Sequence, residues 1–305
     1  MRAELVPDQR LRLPDGRMLG FCIYGDPSGL PVVFLHGTPG SRLQIALAHE
    51  ACEQLGVALI APDRWGYGLS EAPPTAQLSV YPHDIAALMD HLGRPRFCVG
   101  GVSGGGPYAA AVAAGLASRV LAAAFVSPVG PIVDAGLMRS LSRGHRFNFA
   151  VLPRHPRLVA SAFRGFRWSL RRTPRLAARL LTLRAARVDK RLVAHPEIRR
   201  RLLGSFAEGL RVGTSGPQLD LAIFSQPWGI DLARITAPAR LWIGTADRDV
   251  PIAAAHALAQ RIPHCLVREM PEQGHLWVVA NSSEVPAWLL GAARARSDAS
   301  DQLGA

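Results

Sequence analysis

Lysine is nearly missing from this chain: Lys190 is the only one among 35 cationic residues in 305, and the rest are arginines. Cysteine is also scarce. Cys22, Cys52, Cys98 and Cys265 stand far apart in apolar or helical surroundings, and no C-x-x-C pair occurs. That usage argues against a disulfide framework and predicts buried free thiols in a reducing compartment, the cytoplasm. No cluster of His, Cys and carboxylate residues has metal-ligand spacing, and no glycine-rich turn ends in Lys-Ser or Lys-Thr. Neither a metal nor a nucleotide cofactor is therefore expected. Arg2, Glu4 and Asp8 precede any apolar run, so no secretory leader is expected. The apolar stretch 106–126 contains Pro107 and Arg119 and is rich in Ala and Gly, which fits a packed helix followed by a buried strand better than a membrane span.

What the chain does contain is Gly101-Val-Ser103-Gly104-Gly105, a G-x-S-x-G arrangement. Residues 95–100 read as a short β-branched and aromatic strand, and 108–115 as a small-residue helix, so the serine falls on a tight strand-to-helix turn. A serine on such a turn takes an unfavourable φ/ψ, and side chains two residues to either side would collide. Gly101 and Gly105 meet that steric need.

A serine hydroxyl is a poor nucleophile at neutral pH and needs an imidazole to take its proton and a carboxylate to fix that imidazole. Residues 239–244 read as a buried strand, and Asp247 follows in the loop at its carboxyl end. Asp249, two residues on, is the competing acid, read as solvated or capping. After a last strand over 265–270, Gly274-His275 opens the terminal helix, which makes His275 the candidate base. The oxyanion formed by attack needs two fixed N–H donors. Gly104, directly after the serine, offers one. The loop His36-Gly37-Thr38-Pro39-Gly40 after the strand at 32–35 offers the other at Thr38, because Pro39 has no N–H. His36 reads as an organiser of that loop through hydrogen bonds.

With these pieces in order, the chain resembles the α/β-hydrolase superfamily, in its cap-bearing group of proline iminopeptidase-like, esterase-like and C–C hydrolase-like proteins. Asp63-Arg64-Trp65-Gly66-Tyr67-Gly68-Leu69-Ser70 resembles that superfamily's loop after strand 4, and Tyr81 to Leu92 the helix before the nucleophile strand. The resemblance implies a mostly parallel central sheet flanked by helices, Ser103, Asp247 and His275 as a triad, and Thr38 and Gly104 as oxyanion donors. Proline iminopeptidases usually carry His-Gly-Gly-Pro-Gly where this chain has Thr38, which weakens the peptidase reading. Superfamily members with an Asp at the nucleophile, the haloalkane dehalogenases and epoxide hydrolases, are disfavoured by Ser103.

An Asp15-Gly16 turn between 10–13 and 18–24 reads as an antiparallel hairpin. Strand and helix then alternate, giving a first core part at 1–129 and a second at 231–290, with a tail at 291–305 expected to be disordered. Between them, 130–230 should be a helical, basic cap. Residues 139–201 hold 18 of the 35 cations against only Asp189 and Glu197 as acids. Leu176, Leu180 and Leu183 form one helical stripe, expected to face the cleft or the main domain. The arginines read as a solvated compositional bias, or as a face for anionic partners, either a carboxylate- or phosphate-bearing substrate or a membrane surface. Nucleic acid is not expected, since no binding motif and no interleaved stacking aromatics occur.

The expectation is therefore a cofactor-independent serine hydrolase forming an acyl-enzyme on a small ester, thioester or lactone with an anionic or apolar acyl group. Amide or C–C hydrolysis and acyl transfer stay open on the same three residues. A ligand receptor on a hydrolase scaffold is the alternative of another class.

Overall fold

The computed structural model describes residues 8–133 and 135–303, so the expectation resting on Arg2 and Glu4 lies outside the described residues. Eight strands form one sheet: β1 (Gln9–Arg12), β2 (Met18–Gly25), β3 (Leu30–Leu35), β4 (Val57–Pro62), β5 (Phe97–Val102), β6 (Val120–Val126), β7 (Ala239–Gly244) and β8 (Leu266–Met270). Their spatial order is β1-β2-β4-β3-β5-β6-β7-β8. β2 pairs antiparallel with β1 and β4, and every other pairing is parallel. Central strands of such a sheet are covered on both faces, so β4, β5 and β6 are buried along their whole length and read as near-continuous apolar runs.

Helices α1 (His49–Leu55), α2 (Tyr81–His91) and α3 (Gly105–Gly115) connect the first strands. From β6 the chain leaves the sheet for α4 (Ala135–Ser140), α5 (Arg143–Arg146), α6 (Pro156–Arg172), α7 (Pro174–Thr182), α8 (Arg187–Ala194), α9 (Pro196–Gly209) and α10 (Ser215–Phe224). It returns through β7 to α11 (Ile252–Gln260), α12 (Trp277–Ala280) and α13 (Glu284–Leu303). Alternate residues of each strand enter opposite cores, as the period-2 geometry of a strand demands. Val33 and Val99 join one core with side chains of α2, α3 and α11, whereas Val32 and Cys98 join another with Cys52 of α1 and Val285, Leu289 and Ala293 of α13.

Two expectations are corrected. Residues 291–303 continue α13 as helix instead of forming a disordered tail, because Val285, Leu289 and Ala293 recur every four residues and bury that stripe against the sheet. The leucine stripe of α7 is helical but faces outward. Ala177, Ala178 and Leu181 turn inward to pack with Leu170, Leu202 and Phe206 in a core belonging to the inserted helices, leaving Leu176, Leu180 and Leu183 exposed at 43%, 48% and 70%. Ala177 and Ala178 let α7 pack closely with Leu181 beside them, so the other leucines fall on the far side.

The insertion is tied to the sheet by polar contacts of α9. Arg42 Nη1 donates to Asp63 at 2.8 Å and to Glu208 of α9 at 2.9 Å, and Ser41 Oγ donates to the Ser205 carbonyl at 2.9 Å.

Candidate active site

β5 ends at Val102 and α3 begins at Gly105, so Ser103 occupies the turn between them with φ of +54°. That left-handed backbone is costly for a residue with a side chain. Three main-chain hydrogen bonds hold it: Ser103 N–H donates to the Val126 carbonyl at 2.9 Å, and the Ser103 carbonyl accepts from Gly106 and Val129 at 3.0 Å each. Close approach explains both flanking glycines. A Cβ on Gly101 would run into the Gly105 carbonyl, and one on Gly105 into the Leu35 and His36 carbonyls.

Ser103 and His275 line one cavity of about 410 Å³. Asp247, in the loop after β7, accepts a hydrogen bond from His275 Nδ1 at 2.8 Å, while His275 Nε2 has no hydrogen bond among the described residues. Asp249 donates its N–H to Asp247 Oδ1 at 2.9 Å and lines the cavity, but does not bond the imidazole. Burial alone would lower the His275 pKa. The Asp247 charge and hydrogen bond outweigh it, with Asp249 and Asp189 adding to them, and the pKa is pushed up to about 9.

Asp189 was not singled out as a site residue from the sequence. It belongs to α8, is fully buried, and accepts the His275 and Leu276 N–H groups at 2.9 and 3.0 Å. A Cβ on Gly274 would strike its carboxylate. The inserted segment thus fixes the backbone that carries the imidazole. Its signal in the sequence is that it is one of two acids within a long arginine-rich run.

Thr38 and Gly104 also line the cavity, and neither backbone N–H has a hydrogen-bond partner among the described residues. They lie side by side, since a Cβ on Gly104 would meet Thr38 Oγ1. Two unpaired donors side by side at one cavity suit a developing negative charge on oxygen.

Behind Thr38 lies a buried polar knot centred on Asp220 of α10. Arg64 donates to both Asp220 oxygens, at 2.5 and 2.8 Å, Tyr67 Oη donates at 2.6 Å, Tyr108 Oη at 2.9 Å, and Thr38 Oγ1 completes the set. Burial, reinforced by Asp220, holds both phenols well above their ordinary pKa, so they remain donors. Arg64 also donates its backbone N–H to His36 Nε2 at 3.0 Å, which leaves Nδ1 as the protonated nitrogen, donating to the Gly37 carbonyl at 2.9 Å. Burial, then Arg64, keeps His36 well below its usual pKa and hence neutral. His36 therefore holds the Thr38 loop and does not reach the cavity. Asp220 too was missed from sequence; an acid between Leu219 and Leu221 in an apolar helix is the signal that could have found it.

The cavity wall is dominated by apolar side chains, including Ile45, Phe149, Leu181, Phe206 and Phe224, and among the described residues no Arg or Lys belongs to it. Among the described residues no group of His, Cys and carboxylates could hold a metal ion.

A mostly parallel sheet thus carries a serine on a strained turn after β5 and an imidazole held by Asp247 at one cavity. Residues 32–288 match the model of the alpha/beta hydrolase family, and the chain belongs to that family. It is 36% identical over 127 residues to a non-heme chloroperoxidase of Streptomyces lividans, a match spanning 39% of this chain and 44% of that protein. Among solved structures, an alpha/beta hydrolase fold protein from Nakamurella multipartita superposes with a TM-score of 0.69 at 24% identity, covering 94% of this chain and 99% of that one. A thermophilic esterase from Thermogutta terrifontis does so with a TM-score of 0.68 at 23% identity, over 94% and 99%.

Proposed function

We propose that this enzyme is a serine hydrolase that cleaves esters, thioesters or lactones of apolar acyl groups through an acyl-enzyme. The observation that carries the reading is the convergence on one apolar cavity of Ser103 on its strained turn, an imidazole held by Asp247, and two unpaired amides.

In this reading Ser103 Oγ attacks the substrate carbonyl while His275 Nε2 takes its proton. Asp247 holds the Nδ1–H tautomer and offsets the imidazolium charge. The carbonyl oxygen becomes an anion received by the Thr38 and Gly104 N–H groups. As the tetrahedral intermediate collapses, its bond to the alcohol or thiol breaks and His275 returns the proton to that leaving group. Water then repeats the sequence on the acyl-serine and releases the acid. Because the cationic side chains of the insertion are absent from the cavity wall, the acyl group is apolar in preference to anionic.

A fluorophosphonate probe tests this directly. The expected result is rapid labelling mapped to Ser103 and lost in Ser103→Ala. A folded protein that does not react would support a receptor on this scaffold instead. A panel of esters, thioesters, lactones and peptide amides then ranks the bond cleaved, with short apolar esters expected to exceed amides.

A further inference from the structure

We propose that the outward face of α6 and α7 docks on an anionic lipid bilayer surface. Both helices bury one side in the same small core, through Leu170 of α6 and Ala177 of α7, so their opposite sides turn away from it together. Those sides carry large apolar groups in the open: Trp168 is 58% exposed and Leu183 70%, with Leu176 and Leu180 on the same stripe as Leu183. Isolated exposed apolar residues are ordinary, but three leucines and a tryptophan on two helices that pack together, all left exposed while the same helices fill a shared core, mark an interaction surface.

The charge around this stripe names the occupant. Arg164, Arg171 and Arg172 flank Trp168 on α6, Arg175 and Arg179 flank the leucines on α7, and none of the five forms an ion pair among the described residues. The two acids of the region are already engaged, Asp189 with the His275 backbone and Glu197 with Arg200 and Arg201. A second copy of this chain would set arginine against arginine. A bilayer rich in anionic headgroups supplies the counter-charge, and its interface accepts Trp and Leu without needing a matching groove. Among the described residues no helix is long and apolar enough to cross a membrane, so the contact is with the surface. The inner sides of these helices contribute Phe163, Leu181 and Thr182 to the cavity, which places the docked face back to back with the site.

The test is sedimentation of the full chain with vesicles of phosphatidylcholine alone or mixed with phosphatidylglycerol, with brominated lipid as a tryptophan quencher. Binding is expected only with phosphatidylglycerol, falling with added salt. Each Arg→Gln change at positions 171, 175 and 179 should weaken it about fivefold, and Trp168→Ser with Leu183→Ser about tenfold or more. Quenching should vanish in Trp168→Phe. These side chains are exposed, so thermal melting should not move, and ester hydrolysis in solution should be unchanged. No binding to anionic vesicles at low salt overturns the proposal. Binding that ignores the Trp168 and Leu183 changes, or equal binding to soluble polyglutamate without bromolipid quenching, also overturns it and assigns the face to general charge attraction or to an acidic protein.

Discussion

Replacing Asp220 by Asn changes one oxygen to an amide nitrogen and tests whether the knot behind the Thr38 loop holds by charge or by shape. Asp220 has no exposed surface, and all its partners are donors: two guanidinium nitrogens, two phenols and the Thr38 hydroxyl. An asparagine keeps the volume but points N–H groups at donors and leaves the buried Arg64 charge uncompensated. Breaking a buried ion pair by removing one partner costs about 3–5 kcal/mol. The variant should therefore unfold in urea with a stability lower by about 4 kcal/mol at an unchanged slope, a large part of the 5–15 kcal/mol typical of a folded protein. Because Thr38 Oγ1 would keep the Arg64 contact at 3.1 Å but lose its charged acceptor, ester turnover by the folded fraction should fall while KM for an apolar ester changes little. The double variant Asp220→Leu, Arg64→Met should lose about 2 kcal/mol less than the sum of its single changes. A loss below about 1 kcal/mol in Asp220→Asn, with full turnover, would refute the reasoning and reduce the knot to ordinary neutral hydrogen bonds.

Asp249→Asn removes a carboxylate that helps hold the proton on His275. The base form is then reached at lower pH, so the rising limb of the kcat/KM profile should move to the acid side of about 9 and activity at neutral pH should increase. A limb that moves to the alkaline side would contradict this assignment of charge. Asp247→Asn should keep the fold and cut kcat by about 10⁴ through the wrong imidazole tautomer; full activity would transfer the orienting role to Asp249. Asp189→Ala strands the His275 and Leu276 N–H groups, at a cost of about 1–3 kcal/mol for a buried orphan. It should lower kcat more than it raises KM, which steady-state kinetics with a thermal melt would resolve. Gly105→Ala drives a methyl group into the Leu35 carbonyl and should cost more than about 3 kcal/mol, at the severe end for single changes; a melt within error of wild type would deny that contact.

The sheet and its turns were legible because local chemistry decides them. The Asp15-Gly16 hairpin, the all-apolar strands and the glycines around Ser103 each answer a constraint that acts within a few residues. The inserted helices were legible only as helices. Their amphipathic period is set by chain geometry, but which side turns inward depends on the neighbour that covers it, and in α7 the alanine side fits the close packing against α9 better than the leucine side. The same limit hid Asp189 and Asp220. Each lies far along the chain from the backbone it braces, 86 residues in the case of Asp189 and His275 and 182 for Asp220 and Thr38. Neither makes a motif with its target. A buried acid in an apolar or arginine-rich helix implies a distant donor, since an unpaired carboxylate would not stay ionised there, but it does not say which one. The insertion therefore has a role its composition conceals: its buried Asp189 and Asp220 brace the His275 backbone and the Thr38 loop, so the geometry of the site depends on how these helices seat on the sheet.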